Sequence, residues 1–244
     1  GEWQHLTKQE ERLKGRWSEE TFLLRETHHG PVINDFFGPN DLEDFQNEIL
    51  SFRWTLLVGK SSSEIEGFFK LNQASNWNEF QLALSYFGGL QQNFAYADKQ
   101  GNIGLHPAAS LPIRQRTGQR ILPGHDGSAD WLGLRRTLEL PFSCNPAEGW
   151  LGSANNALEE PGMGTVEGYF APSERMRRME QLLQGSGLLS PKAMQRFQND
   201  TCYPLAKLIK EAWSRLDSME PIQGVPVSSL LKNWDGCFAA ESVA

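Results

Sequence analysis

Gln92-Asn93-Phe94-Ala95-Tyr96-Ala97-Asp98-Lys99-Gln100-Gly101-Asn102-Ile103-Gly104-Leu105 carries the clearest structural signal in the chain. Side chains alternate over 93–98, Lys99 to Asn102 are turn residues, and apolar character resumes at Ile103. This pattern predicts a β-hairpin. Just upstream, Asn76-Trp77-Asn78-Glu79-Phe80 opens a helix with Asn76 as N-cap. Phe80, Leu82, Leu84 and Phe87 are its apolar residues, and Gly88-Gly89 stops it. Before that, Ser61-Ser62-Ser63 with Glu64 and Glu66 starts another helix. Asn72 and Gln73 cut its apolar stripe (Phe68, Phe69, Leu71) short, so the helix is expected to be short.

Further from the hairpin, 21–27, Val32-Ile33, 52–58 and 150–154 read as strands, and residues 1–15 as a hairpin edge or a loose terminus. Phe36 to Asn40 reads as a loop. Residues 114–127, punctuated by Gly, Arg and Pro, read as a long surface loop. The texture then changes. Helices are expected from Pro172-Ser173-Glu174-Arg175, from Ser190-Pro191, over Tyr203 to Leu216, and around Leu230, Leu231 and Trp234. The fold class is therefore α+β in one domain over 1–244. A sheet-rich part with two helices spans 1–170 and a helical part spans 171–244, with no interdomain linker.

The 244 residues are 39% hydrophobic and 22% charged, which is a globular composition rather than a disordered one. A net charge of −7 argues against a general nucleic-acid binder, which needs a positive surface to release counterions. No apolar run approaches the ~20 residues that span a bilayer, so no membrane partner is expected. No signal-peptide core lies near Gly1. Cys144, Cys202 and Cys237 form no CxxC pair and no zinc signature. One bridge plus a spare thiol fits them, and the redox compartment stays open.

Several patterns bear on chemistry. Ser153-Ala154-Asn155-Asn156 places two adjacent carboxamides between an apolar segment and a Pro/Gly-rich loop. They read either as turn asparagines or as a fixed N–H donor of the kind an oxyanion hole requires. Arg175, Arg177 and Arg178 read as a solvated helix face or as a charged site. His5, His28, His29, His106 and His125 show no metal-binding spacing. Cys144 reads as an inert thiol or, with a histidine, as a thiol dyad. Asp126, Asp130, Glu159, Glu160 and Glu167 are calcium-type ligands without EF-hand spacing.

Taken in order, Asn76-Trp77-Asn78-Glu79-Phe80, 92–98, Gly101-Asn102-Ile103-Gly104, Leu111-Pro112-Ile113-Arg114, Asn145-Pro146-Ala147-Glu148-Gly149, Ala154-Asn155-Asn156 and Trp234-Asp235-Gly236 resemble the penicillin acylase family. Thr27-His28-His29-Gly30-Pro31-Val32-Ile33 fits as well. The resemblance covers nearly the whole chain, and its order and spacing make it specific. It implies an N-terminal-nucleophile hydrolase with a four-layer α/β/β/α sandwich, built from two chains cut from one precursor. A serine exposed at the new N-terminus attacks the amide carbonyl, and its own α-amino group serves as base.

Residue by residue, the resemblance makes Asn155 the oxyanion asparagine and Arg175 the arginine that supports it. Phe68 and Gln92 fall near positions that line the acyl pocket, and at Gln92 a polar residue replaces an apolar one. No obligatory cofactor is implied. Calcium is admitted in the full-length parent, with Glu167 near the family's ligands, although Gly164 and Thr165 break the match. Ser75-Asn76-Trp77 has the texture of the nucleophilic terminus, but it is internal and its continuation matches a downstream helix. The nucleophile is expected upstream of Gly1. The chain thus reads as an excerpt of the nucleophile-bearing chain, inert alone and prone to self-association. Its expected partners are the missing nucleophile segment, the second processed chain and a small acyl-amide substrate, in a periplasmic or secreted setting. The competing readings are a catalytically dead homologue or fragment acting as a binding or structural module, and more distantly a Cys144 thiol hydrolase.

Overall fold

A computed structural model describes residues 4–37, 42, 45, 47–58, 63–157, 168–185, 187–213, 226, 229, 231 and 234–240. The chain divides into two compact units, Gly1–Phe142 and Ser143–Ala244. Strands and helices are mixed, as the α+β reading expects.

The first unit opens with an antiparallel hairpin of β1 (Thr7–Lys14) and β2 (Glu19–Thr27), in register from Thr7 opposite Glu26 to Lys14 opposite Glu19. The short β3 (Gly30–Pro31) pairs with the end of β2. Val32 continues as a single bridge to Ser51. The strand expected over 52–58 does not form. The chain turns there, with the Leu57 and Val58 N–H groups both donating to the Trp54 carbonyl, at 2.9 and 3.1 Å. Trp54, Leu56 and Leu57 are left partly exposed, because an unbroken apolar run carries no alternation to choose a buried face.

Next come α1 (Glu64–Gln73) and α2 (Trp77–Leu84). The Asn76 side chain caps α2 by accepting from the Glu79 N–H at 3.0 Å. Ser75 donates back to the Glu79 carboxylate from its backbone N–H (2.9 Å) and its hydroxyl (2.8 Å). Both residues are therefore engaged in starting a helix. The Glu64 carboxylate accepts the N–H groups of Gly88, Gly89 and Leu90 at 3.2, 2.8 and 3.3 Å, tying the start of α1 to the turn after α2.

The expected β-hairpin is β4 (Gln92–Ala97) with β5 (Ile103–Ala108), Gln92 opposite Ala108. Its inner face meets α2 in a core of Phe80, Leu84, Phe87 and Ala108, with Trp77, Phe94 and Tyr96 against it. Leu82 is 58% exposed and Ala83 is buried in its place, because the buried stripe of α2 follows 80, 83, 84 and then Phe87 beyond the helix end. Gly104 permits the close approach of Trp77. A Cβ there would lie 2.2 Å from the indole ring. The Thr137 hydroxyl sits in this interior, accepting from Ala109 N–H at 3.1 Å. Strands β6 (Leu111–Arg114) and β7 (Trp131–Arg135) pair antiparallel with a register shift at Ile113/Arg114. The long loop expected over 114–127 lies between them.

In the second unit Ser143–Cys144 (β8) is extended. The strand expected over 150–154 is irregular chain, bounded by left-handed backbone at Gly149 (φ 73°) and Asn155 (φ 63°). Among the described residues, α3 (Glu174–Leu183), α4 (Pro191–Gln198) and α5 (Ala206–Trp213) follow. Ser190 caps α4 by accepting from Ala193 N–H at 3.2 Å. Cys202 and Cys237 form a disulfide, and Cys144 is a free, half-buried thiol. Leu216, Leu230, Gly164, Thr165, Glu159, Glu160 and Glu167 lie outside the described residues. Among the described residues no helix is long and apolar enough to cross a membrane.

Candidate functional site

The two adjacent asparagines of the second unit have different surroundings. Asn156 is occupied with local backbone. Its Oδ1 accepts from Ala154 N–H at 3.1 Å and its Nδ2 donates to the Ala157 carbonyl at 3.0 Å. It is the turn asparagine of the pair. Asn155 is exposed, and its backbone carbonyl accepts from Ala171 N–H at 2.7 Å. Its side-chain Oδ1 accepts from the Arg175 guanidinium, Nη1 to Oδ1 3.1 Å. A guanidinium has donors only, so the amide oxygen must face it. That leaves the Asn155 NH₂ directed elsewhere, without a partner among the described residues.

The left-handed backbone at Asn155 limits which residues can stand there. Asparagine and glycine adopt φ near +60° readily, whereas an alanine is strained by about 1 kcal/mol or more. The segment leading to Asn155 also packs tightly on α3, since a Cβ at Gly152 would lie 2.5 Å from Met179 Cε. Three links therefore join Asn155 or its neighbours to the 171–179 segment, twenty positions downstream.

Helix α3 is built against its own dipole. Arg175, Arg177 and Arg178 occupy its first half, where the helix end carries partial positive charge and a cation costs about 0.3–1 kcal/mol. Glu174 offsets this in part, and Ser173 makes no side-chain cap. Two of the three cations have specific partners: Arg175 binds Asn155 and Arg178 forms a two-pronged bond with Asp200. The Arg178 bond holds the Asp200 carboxyl below its usual range against the opposing effect of burial. The arginine cluster is thus more than a solvated face. This polar arrangement presents a fixed amide N–H donor beside a cation, the equipment that stabilises a developing oxyanion.

Phe68 and Gln92 belong to the first unit. Phe68, on α1, contacts Phe87 edge-on at 4.9 Å between ring centroids and Phe94 at 6.4 Å. It remains 44% exposed, so it offers an apolar face outward. Gln92 begins β4 and shares a strand face with Phe94, two residues on, and is exposed.

A second cluster escaped the sequence reading. His28, His29 and Asp130 each bring one ligand-type atom within 4.8 Å of the others. His29 Nε2 lies 2.7 Å from Asp130 Oδ1, and Arg53 Nη1 donates to the same oxygen at 3.0 Å. The guanidinium of Arg53 also lies over the Trp131 ring, 4.8 Å from its centroid. The His29 hydrogen bond, and secondarily Arg53, hold the Asp130 carboxyl below its usual range. A divalent cation there would sit against the Arg53 charge, and two imidazole nitrogens do not suit calcium, which takes oxygen ligands. The cluster is an ion-paired clasp that joins segments 101 positions apart. Only Asp130 had been singled out as a ligand type in sequence, and nothing local links it to His29.

Comparison with known proteins places this geometry in context. The chain is 29% identical over 194 residues to the acyl-homoserine lactone acylase QuiP of Pseudomonas aeruginosa, covering 76% of this chain and 23% of that protein. It is 26% identical over 189 residues to penicillin G acylase of Escherichia coli, covering 75% of this chain and 21% of that protein. It thus spans about a quarter of the length of these curated relatives. Among solved structures, a thermostable penicillin G acylase from Alcaligenes faecalis superposes with a TM-score of 0.69 at 26% identity, over 96% of this chain and 42% of that one. The penicillin amidase family model matches residues 1–244, and the chain belongs to that family.

Proposed function

We propose that this chain is part of an amide hydrolase that cleaves a linear acyl amide through a serine acyl-enzyme, with Asn155 as oxyanion donor. The observation that supports the reading is the Arg175–Asn155 bond at 3.1 Å, which turns the amide NH₂ away from the guanidinium and leaves it available as a donor. In this reading the attacking group is the family's nucleophilic serine. Its hydroxyl adds to the substrate carbonyl, and its proton passes to the α-amino group. The oxyanion then accepts from Asn155 Nδ2. Collapse expels the protonated amine, and water releases the acid. Arg175 withdraws electron density through Oδ1 and makes the NH₂ a stronger donor. Phe68 and Gln92 contribute to the acyl pocket, where Gln92 offers a polar contact.

In this reading the chain takes its place in the family's four-layer sandwich, completed by the nucleophile segment and a second processed chain. The Cys202–Cys237 disulfide supports an oxidising compartment such as the periplasm. The candidate substrates are an acyl-homoserine lactone, a β-lactam side-chain amide or another acyl amide.

The test uses the full-length parent enzyme and assays all three substrate classes. Asn155→Gly keeps the left-handed backbone while deleting the donor. It is expected to lower kcat by about 10²–10³-fold with little change in KM, because the bond strengthens only in the transition state. Full turnover in that variant overturns the assignment. The 244-residue chain alone is expected to hydrolyse none of the three. Turnover lost on Cys144→Ala would transfer the chemistry to the thiol, and turnover lost on Ser75→Ala would transfer it to that serine.

A further inference from the structure

We infer that Asp200, acting through Arg178, is a positioning residue for the Asn155–Arg175 pair, held in place by the Cys202–Cys237 disulfide. The inference rests on the reading of Asn155 as the oxyanion donor. It begins from the two arginines of α3. Arg175 and Arg178 are three residues apart, so they project from neighbouring positions on one side of the helix. Arg175 holds the amide. Arg178 holds Asp200 through two parallel bonds, Nε to Oδ1 and Nη2 to Oδ2, both 2.7 Å. A fork of this kind fixes orientation as well as distance. A helix held by a few point contacts near one end can still rotate slightly, and a bidentate clamp one turn away resists that rotation. The clamp therefore sets the azimuth of α3, and with it where the Arg175 guanidinium falls relative to Asn155 Oδ1.

A clamp is only as firm as its far side. Asp200 Oδ1 also accepts from Cys202 N–H at 3.3 Å. Cys202 is bridged to Cys237, and the flanking backbone crosses on both sides of the bridge. Tyr203 N–H donates to the Gly236 carbonyl at 2.8 Å, and Phe238 N–H to the Thr201 carbonyl at 3.0 Å. The buried Trp234 completes the knot, its indole N–H on the Cys237 carbonyl at 2.7 Å. The carboxylate that orients α3 is thus mounted on a cross-linked piece of chain rather than on a free loop. The path from disulfide to amide runs through Cys202, Asp200, Arg178, one helical turn and Arg175, and every step except the turn is a hydrogen bond of stated length.

The distinguishing property of a positioning residue is that its loss acts only through the group it positions. In the full-length parent enzyme, Asp200→Asn keeps the size of the side chain and breaks the charged fork. It is expected to lower kcat roughly ten- to hundredfold, the usual cost of misplacing a catalytic group by about 1 Å. KM should stay within about twofold. Combined with Asn155→Gly, it should add nothing to the loss that Asn155→Gly alone produces. If Asp200→Asn does not fold, Arg178→Lys serves in its place, since it keeps the charge and loses the fork. Unchanged kcat in the single variant, or losses that multiply in the double variant, would overturn the inference. Full kcat in Asn155→Gly alone would instead remove the oxyanion reading on which it rests, and the two failures are read from separate variants.

Discussion

The aromatic core of the first unit and the polar joint of the second hold together by opposite means. Around Phe80, Leu84 and Phe87 the contacts are many and non-directional. Trp77 alone lies near Phe80, Tyr96, His106 and Phe142, at centroid distances of 5.3–6.3 Å. Loss of any one contact leaves the others. Around Asn155 the contacts are few and directional: one guanidinium, one fork and one disulfide-bonded segment. The first arrangement resists sequence drift and gives stability. The second gives accuracy, and a single broken bond is felt along the line. A site is better built on directional bonds because a reacting atom needs a donor at a fixed place, whereas a core needs only filled volume.

The largest expected effect separates the two regions by what is lost. Phe87→Ala removes a fully buried ring that α1, β4 and the α2 turn all touch. It should cost about 3–5 kcal/mol, seen as a lowered melting transition by calorimetry. A cost under about 1 kcal/mol would mean that the core collapses around the gap. Asn155→Gly is the converse case. Stability should hardly change, while kcat of the parent enzyme falls by about 10²–10³-fold. Asn155→Ala should show the same kinetic loss together with a strain cost of about 1 kcal/mol. The difference between the two variants measures the left-handed backbone.

Acid should distinguish the regions by pH. His106 is fully buried in the first unit, and its ring is stacked on Phe142 at 5.3 Å between centroids. Burial pushes its pKa below the ordinary 6.5, although a bond at 2.8 Å to the Pro107 carbonyl opposes this. The unfolded chain therefore binds the proton more readily than the folded one. Stability is full above about pH 6.5 and declines as pH falls below that value. Asp200, lowered by Arg178, has the same sign of dependence but acts at a lower pH. The folded state favours its charged form, so the stability it adds is present above about pH 4 and is lost as pH falls through its lowered folded pKa. The first unit should thus begin to weaken at a higher pH than the Asp200 clamp releases. His106→Gln should flatten the slope below about pH 6.5, and an unchanged slope would locate the sensitivity elsewhere.

Smaller effects mark places where the two regions use the same local device. Asn76→Ala in the first unit and Ser190→Ala in the second each remove a helix cap. Each should cost about 1 kcal/mol, and equal losses of thermal stability are expected for the two variants. Smallest of all, Arg12→Ala breaks an exposed pair with Glu19 at 3.9 Å and should shift stability by less than about 0.5 kcal/mol.

Local signals in the sequence sufficed for the elements whose information is local. The β4–β5 hairpin is written in alternation and a Lys99-Gln100-Gly101-Asn102 turn. The caps at Asn76 and Ser190 follow from residue type and position, α3 and α5 from apolar spacing, and the start of α4 from Ser190-Pro191. The penicillin amidase resemblance was legible through the order of short blocks along the chain. The residues 52–58 and 150–154 were misread as strands because apolar content does not say whether a partner strand exists. Leu82 is apolar yet exposed, because which residues of a helix are buried depends on which neighbour covers it.

Tertiary structure decided everything that joins distant positions. Asn155 and Asn156 are chemically identical and adjacent, and residue type and spacing left both readings open for both, with only the family resemblance favouring Asn155 beside Arg175. Only the return of α3 assigns one amide to the turn and the other to Arg175. His29 with Asp130 and Arg53, Arg178 with Asp200, and Cys202 with Cys237 are likewise pairings across 101, 22 and 35 positions. The physical reason is the range of the interactions. Propensity, capping and turn chemistry act within a few residues and are readable from neighbours. A guanidinium finds its partner at about 3 Å in space, a distance set by how whole elements pack.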